Sequence, residues 1–184
     1  RFDDYHDGKP ALDEIRIHYY DDTNTQLLAF KNNDIDFCDL PSSLYQQYSS
    51  DADVKDLITA YQTLGVNFIN LNLKEGMGLT DPKVRQALSL AINRQELVDN
   101  IASGNGTVAS GCLAPATPGY DKSAPAFAYD PEKAKSLLAE AGASDLKLSA
   151  KVRKSYEKLL VAVQEYWSKV GVTLDVQVED NAVW

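Results

Sequence analysis

The chain is poor in the residues that most chemistry needs. It holds two cysteines, two histidines and one methionine among 184 residues. Cys38 and Cys112 lie far apart, and their spacing fits neither a zinc site nor a C-x-x-C redox pair. A disulfide between them is open in an oxidising compartment, but two free, buried thiols are the expectation. His6 and His18 sit in no G-x-S-x-G elbow and no Cys/His signature, so no Ser or Cys nucleophile has a visible base. Long apolar runs are also missing. Nothing approaches the roughly 18–20 residues of a membrane helix. Positive charge is scarce: 18 Lys and Arg stand against 27 Asp and Glu, a net charge of −9. Such a surface repels phosphate backbones and anionic lipid, which disfavours general nucleic-acid or membrane-surface binding. The N-terminal Arg1, in place of Met, reads as a cut end.

What is present reads as an ordinary α/β chain. Asp13–Tyr20 alternates Ile15 and Ile17 with polar residues and is expected as a strand. A helix capped by Asp22 or Thr23 follows, carrying Leu27, Leu28 and Phe30 and ending at Asn32-Asn33. Ile35–Cys38 is expected as the second strand of a βαβ unit. A short helix is expected over Ser42–Tyr48, then strands over Leu57–Thr63 and Gly65–Leu73. Asp81-Pro82 and Asp130-Pro131 each open a helix with the same device, an acidic cap and a proline in the first turn. Val84, Ala87, Leu88 and Ala91 line the first of these helices, and Ala134, Leu137, Leu138 and Ala141 line the second. Between them, Arg94–Ala102 is a further helical stretch. The pattern then gives a strand over Leu146–Val152, a helix over Tyr156–Val170 and a strand over Val172–Val178.

Ser103–Phe127 is rich in Gly, Ser, Ala and Pro, and a loop of that length is usually functional or an interface element. Its Gly104-Asn105-Gly106-Thr107-Val108-Ala109 matches G-x-G-x-x-A, but a helix precedes it and a Pro-rich stretch follows, the reverse of a dinucleotide fingerprint. Asp3, Asp4, His6 and Asp7 cluster without a ligand spacing, and Asp34-x-Asp36 lacks the glycine and later glutamate of a calcium loop. No metal or cofactor is expected.

Four blocks carry a family resemblance. They are Leu12-Asp13-Glu14-Ile15 with Asn33-Asp34-Ile35-Asp36; Phe68-Ile69-Asn70-Leu71-Asn72; Thr80-Asp81-Pro82-Lys83-Val84-Arg85-Gln86-Ala87-Leu88 with Ala91-Ile92-Asn93-Arg94-Gln95-Glu96-Leu97; and Tyr129-Asp130-Pro131-Glu132-Lys133-Ala134 with Leu137-Leu138 and Ala141-Gly142. In this order they resemble the family 5 extracellular solute-binding proteins of ABC importers, with Asn33 where that family often has glycine. The resemblance implies a mixed α/β chain that is part of a two-lobed, type II periplasmic-binding-protein fold. Residues 1–62 would end a split first lobe and 63–184 would open the second. The later part of the second lobe, which supplies an acidic partner for a peptide's amino terminus, would lie outside this chain.

The implied function is binding of an oligopeptide or dipeptide for import, without catalysis. The partners would be the solute and a membrane permease, and the protein a monomer in the periplasm or a surface lipoprotein. Lobe closure would trap the ligand through main-chain hydrogen bonds. Thr63, Leu64, Gly65, Val66, Asn67, Gly111, Leu113 and Pro115 are the candidate cleft residues. Hinge or packing roles are the competing reading of these eight. Alternatives of function are the sensing domain of a transcription regulator, or a nickel complex, haem or an oligosaccharide as the solute. Arg85 and Asp36 are a candidate ion pair.

Overall fold

The only strands among the described residues form one parallel pair, and they belong to the C-terminal third of the chain. The computed structural model describes residues 1–61, 63–125 and 128–179. Strand β1 (Lys147–Arg153) and strand β2 (Thr173–Glu179) run side by side, with Leu148 opposite Leu174, Ala150 opposite Val176 and Val152 opposite Val178. A parallel pair needs a crossover. That crossover is the helix Glu157–Ser168, numbered α6 below, entered through a 3-10 turn at Lys154–Tyr156. The sequence pattern had placed all three elements to within two residues at each end.

Strand β1 alternates between exposed and half-buried along its length. The half-buried side chains pack against the core. Helix α6 buries Leu160, Val163, Tyr166 and Trp167, and the stripe continues to Val170. Gly171 ends it at φ +89°, where a Cβ would lie 2.6 Å from the Ser144 carbonyl oxygen. Only glycine fits both the angle and the space.

The upstream helices are α1 (Thr23–Lys31), α2 (Ser42–Ser49), α3 (Pro82–Leu90), α4 (Arg94–Asn100) and α5 (Pro131–Glu140). Their starts follow the expected chemistry. Asp22, Asp81, Asn93 and Asp130 each accept a first-turn backbone N–H, at 2.8, 2.7, 3.2 and 2.9 Å. Asn93 is the cap of α4. Helices α3 and α5 pack together, with Val84, Ala87, Leu88, Ala134 and Leu138 buried. The Asp130 N–H also donates to Leu90 O at 2.9 Å, tying the start of α5 to the end of α3. Trp167 Nε1 donates to Leu88 O at 3.0 Å, which joins α6 to α3 inside the core. At the α3–α4 corner, Arg94 donates to the carbonyl and hydroxyl of Ser89, and burial lowers its pKa.

The first half of the chain departs from expectation. No strand forms over 13–20, 35–38 or 65–73. Over 57–63 the described residues carry only the end of a 3-10 turn, Lys55–Leu57, and Gln62 lies outside the described residues. The expected βαβ unit around α1 is therefore not formed. The physical reason is pairing: alternation favours an extended backbone, but a strand exists only against a partner. Without one, Ile15, Ile17, Tyr19, Phe37 and Phe68 stay largely exposed, Tyr19 at 92%. The buried core cluster draws on residues from Leu79 to Leu174, while Leu27, Ala29 and Val54 are buried apart from it. Helices α1 and α2 are linked through Lys31, which pairs with Asp51 at 2.6 Å and lies over the Tyr48 ring. Arg85 does not pair with Asp36; it donates to Leu79 O and Thr80 O, both at 2.8 Å, and so closes the turn before α3.

Candidate functional site

The candidate cleft residues occupy two irregular segments. Thr63, Leu64, Gly65 and Asn67 are exposed and Val66 is half-buried. Among the described residues, no backbone–backbone hydrogen bond engages 63–71. Strand addition by another chain uses free N–H and C=O groups on an extended edge; this segment has the free groups but forms no strand.

The second segment lies in the long loop between α4 and α5, described up to residue 125 and again from 128; Ala126 and Phe127 lie outside the described residues. Gly111, Leu113 and Pro115 are exposed, while Ala114 between them is buried, 3% exposed. Successive turns hold the loop: Thr117 N–H donates to Ala114 O at 2.9 Å and Tyr120 N–H to Thr117 O at 3.1 Å. The Ser110 and Tyr120 hydroxyls meet at 3.1 Å across its neck. Further on, Asp121 accepts from the Ser123 hydroxyl and N–H, which hold its carboxyl below the usual carboxylate range. The loop thus anchors Ala114 and presents its neighbours outward. No hydrogen bond or ion pair joins this segment to 63–67 among the described residues.

Two grooves lie among the described residues, and neither is lined by any of these eight. An open groove of about 700 Å³ lies between Gly78–Val84 and the 141–147 connection. A smaller one, about 170 Å³, lies between α4 and α6, beside Glu96, Asn100 and Tyr166. There the Tyr166 hydroxyl donates to Glu96 Oε2 at 2.7 Å. Burial first, then that carboxylate, pushes the phenol well above its ordinary value. The α4–α6 link escaped the sequence reading, because Glu96 and Tyr166 are 70 positions apart.

The chemistry of catalysis is thin. His6 is exposed and faces Asp7 at 3.4 Å. Both cysteines are free, but the expectation that both are buried fails: Cys38 is half-buried, its thiol pushed up by burial, and Cys112 is exposed. No group of three His, Cys, Asp or Glu among the described residues could hold a metal ion. Among them, no helix is long and apolar enough to cross a membrane.

Helical packing on a parallel strand pair gives the chain a mixed α/β fold, with two irregular segments facing outward. The chain matches, over residues 1–184, the model of the bacterial extracellular solute-binding proteins, family 5 Middle, and belongs to that family. It is 32% identical to the oligopeptide-binding protein AppA of Bacillus subtilis, over 96% of this chain and 35% of that protein. It is 28% identical to the dipeptide-binding protein of Escherichia coli, over 93% of this chain and 33% of that one. The solved structure of Bacillus subtilis AppA in complex with a nonapeptide superposes with a TM-score of 0.72, at 27% identity, over 99% of this chain and 39% of that one. The fold is therefore part of a two-lobed, type II periplasmic-binding-protein fold. The chain spans about a third of the length of these relatives.

Proposed function

We propose that this chain is part of the solute-binding component of an ABC importer that takes up peptides. It works outside the cytoplasm, in the periplasm or as an anchored lipoprotein, and hands its ligand to a membrane permease without making or breaking a covalent bond. Residues 1–62 belong to the first lobe and 63–184 to the second. The separation of the Leu79–Leu174 core from buried Leu27, Ala29 and Val54 supports that division.

The observation that carries the reading is the family match over residues 1–184, with relatives named for peptides; the unpaired backbone of 63–71 supports it. Peptides share a main chain, so contacts from Thr63, Leu64, Gly65, Val66 and Asn67 give affinity with little sequence selectivity. Gly111, Leu113 and Pro115 line the same cleft from the loop. Ala114 fixes their backbone, so little ordering remains to oppose binding.

The test is calorimetric titration of the full-length protein with a mixed peptide pool. Val66→Pro deletes one N–H donor, and a hydrogen bond worth about 1 kcal/mol net weakens binding several-fold. Unchanged affinity in a folded Val66→Pro protein would remove 63–67 from the cleft. Absence of any peptide binding by the full-length protein would overturn the substrate class.

A further inference from the structure

Asn105-Gly106 is the only Asn-Gly pair in the sequence, and it lies at the surface just after α4. Two successive residues of positive φ, Ser103 at 54° and Gly104 at 75°, reverse the chain there. Gly104 N–H donates to Val98 O and Asn105 N–H to Ala102 O, both at 2.9 Å, so the turn is tied at its base. Its tip is not. Asn105 and Gly106 are exposed, and the Asn105 amide makes one long contact, Nδ2 to Ser103 O at 3.5 Å. Gly106 carries no side chain to shield its nitrogen, and the space around it is open, with Val98 Cγ1 at 4.0 Å from where a Cβ would stand.

We infer that Asn105 is a site of self-modification by deamidation. The Gly106 nitrogen, its proton removed by hydroxide, attacks Asn105 Cγ. A nitrogen–Cγ bond forms, the Cγ–Nδ2 bond breaks, and the amide leaves as ammonia. The resulting succinimide takes up one water at either carbonyl and opens to aspartate or isoaspartate. The Gly106 N–H donates to Gly104 O at 3.0 Å, so that bond must open first. At an exposed turn tip such opening is inexpensive. The product adds a negative charge to a chain already at −9. Isoaspartate also inserts a methylene into the main chain at the entrance to the 103–125 loop. This chemistry stands whether or not Gly111–Pro115 touches a ligand.

The experiment is prolonged incubation of the folded chain in neutral and alkaline buffer, followed by peptide mapping with mass spectrometry that separates aspartate from isoaspartate. Asn105 is expected to convert several-fold faster than every other asparagine, with a rate that rises with pH and a mixture of both products. Gly106 has an ordinary φ and room for a methyl group, so Gly106→Ala keeps the fold and slows conversion several-fold. Asn105→Gln, whose longer side chain closes a less favourable ring, gives the same protection; circular dichroism checks that both variants are folded. An Asn105 that stays intact while other asparagines convert, or folded variants that convert as fast as the parent, would overturn the inference.

Discussion

At the scale of single residues, Tyr166 shows how burial and one carboxylate make stability depend on pH. Its ring is buried on α6, edge-on to Tyr129, and its hydroxyl donates to Glu96 on α4. The folded-state value lies above the unfolded one. The neutral phenol is therefore the stabilised form, and its contribution is fully present below about pH 10, the unfolded value of tyrosine. It is lost as pH rises above that towards the folded value. Urea midpoints at about pH 8 and pH 11 should fall more for the parent than for Tyr166→Phe, which has no phenol to ionise. At the lower pH, Tyr166→Phe should cost about 1 kcal/mol, since Glu96 is exposed and solvent weakens the bond. Equal pH dependence in both proteins would assign the link no energetic role. The sequence showed Tyr166 only as one aromatic among ten tyrosines, because a contact across 70 positions leaves no local pattern.

At the scale of elements, helices were legible and most strands were not. A helix satisfies its own backbone, so its cap, first-turn proline and apolar stripe are all local signals. Asp81-Pro82 and Asp130-Pro131 announced α3 and α5 for that reason. A strand depends on a distant partner. Residues 13–20 and 147–153 alternate alike, yet only the second has a neighbour, β2, supplied through α6. The cleft candidates suffered similarly: glycine and proline marked 103–127 as a loop, but no pattern told which residues face outward around buried Ala114. The value of a local signal can be measured at α5. Asp130→Ala removes the acceptor for Lys133 N–H and should cost about 1 kcal/mol in urea unfolding. Asp130→Asn, an equally good cap, should recover most of that loss. If both variants lose the same amount, the carboxylate acts through something other than capping.

At the scale of the whole molecule, the distribution of apolar surface sets how this chain behaves by itself. Ile15, Ile17, Tyr19, Phe37, Leu64 and Phe68 are each more than 60% exposed, while the core from Leu79 to Leu174 is closed. Apolar surface in contact with water is unfavourable at roughly 25 cal/mol per Å², so these side chains favour any partner that covers them. The 184-residue chain should therefore bind a hydrophobic dye such as anilinonaphthalene sulfonate. Replacing Ile15, Ile17 and Phe68 with threonine together should reduce the fluorescence gain without lowering the urea midpoint, since none of the three packs in the core cluster. The same chain should bind peptides weakly or not at all. On the proposed two-lobed reading, affinity comes from burying the ligand between closed lobes, and a chain that carries only part of them leaves the peptide half solvated. Titrating the same peptide pool into the 184-residue chain and into the full-length protein compares the partial cleft with the closed one. Micromolar binding by the shorter chain would mean that the segments at 63–67 and 111–115 already hold a peptide without closure, and the two-sided account of affinity would have to be abandoned.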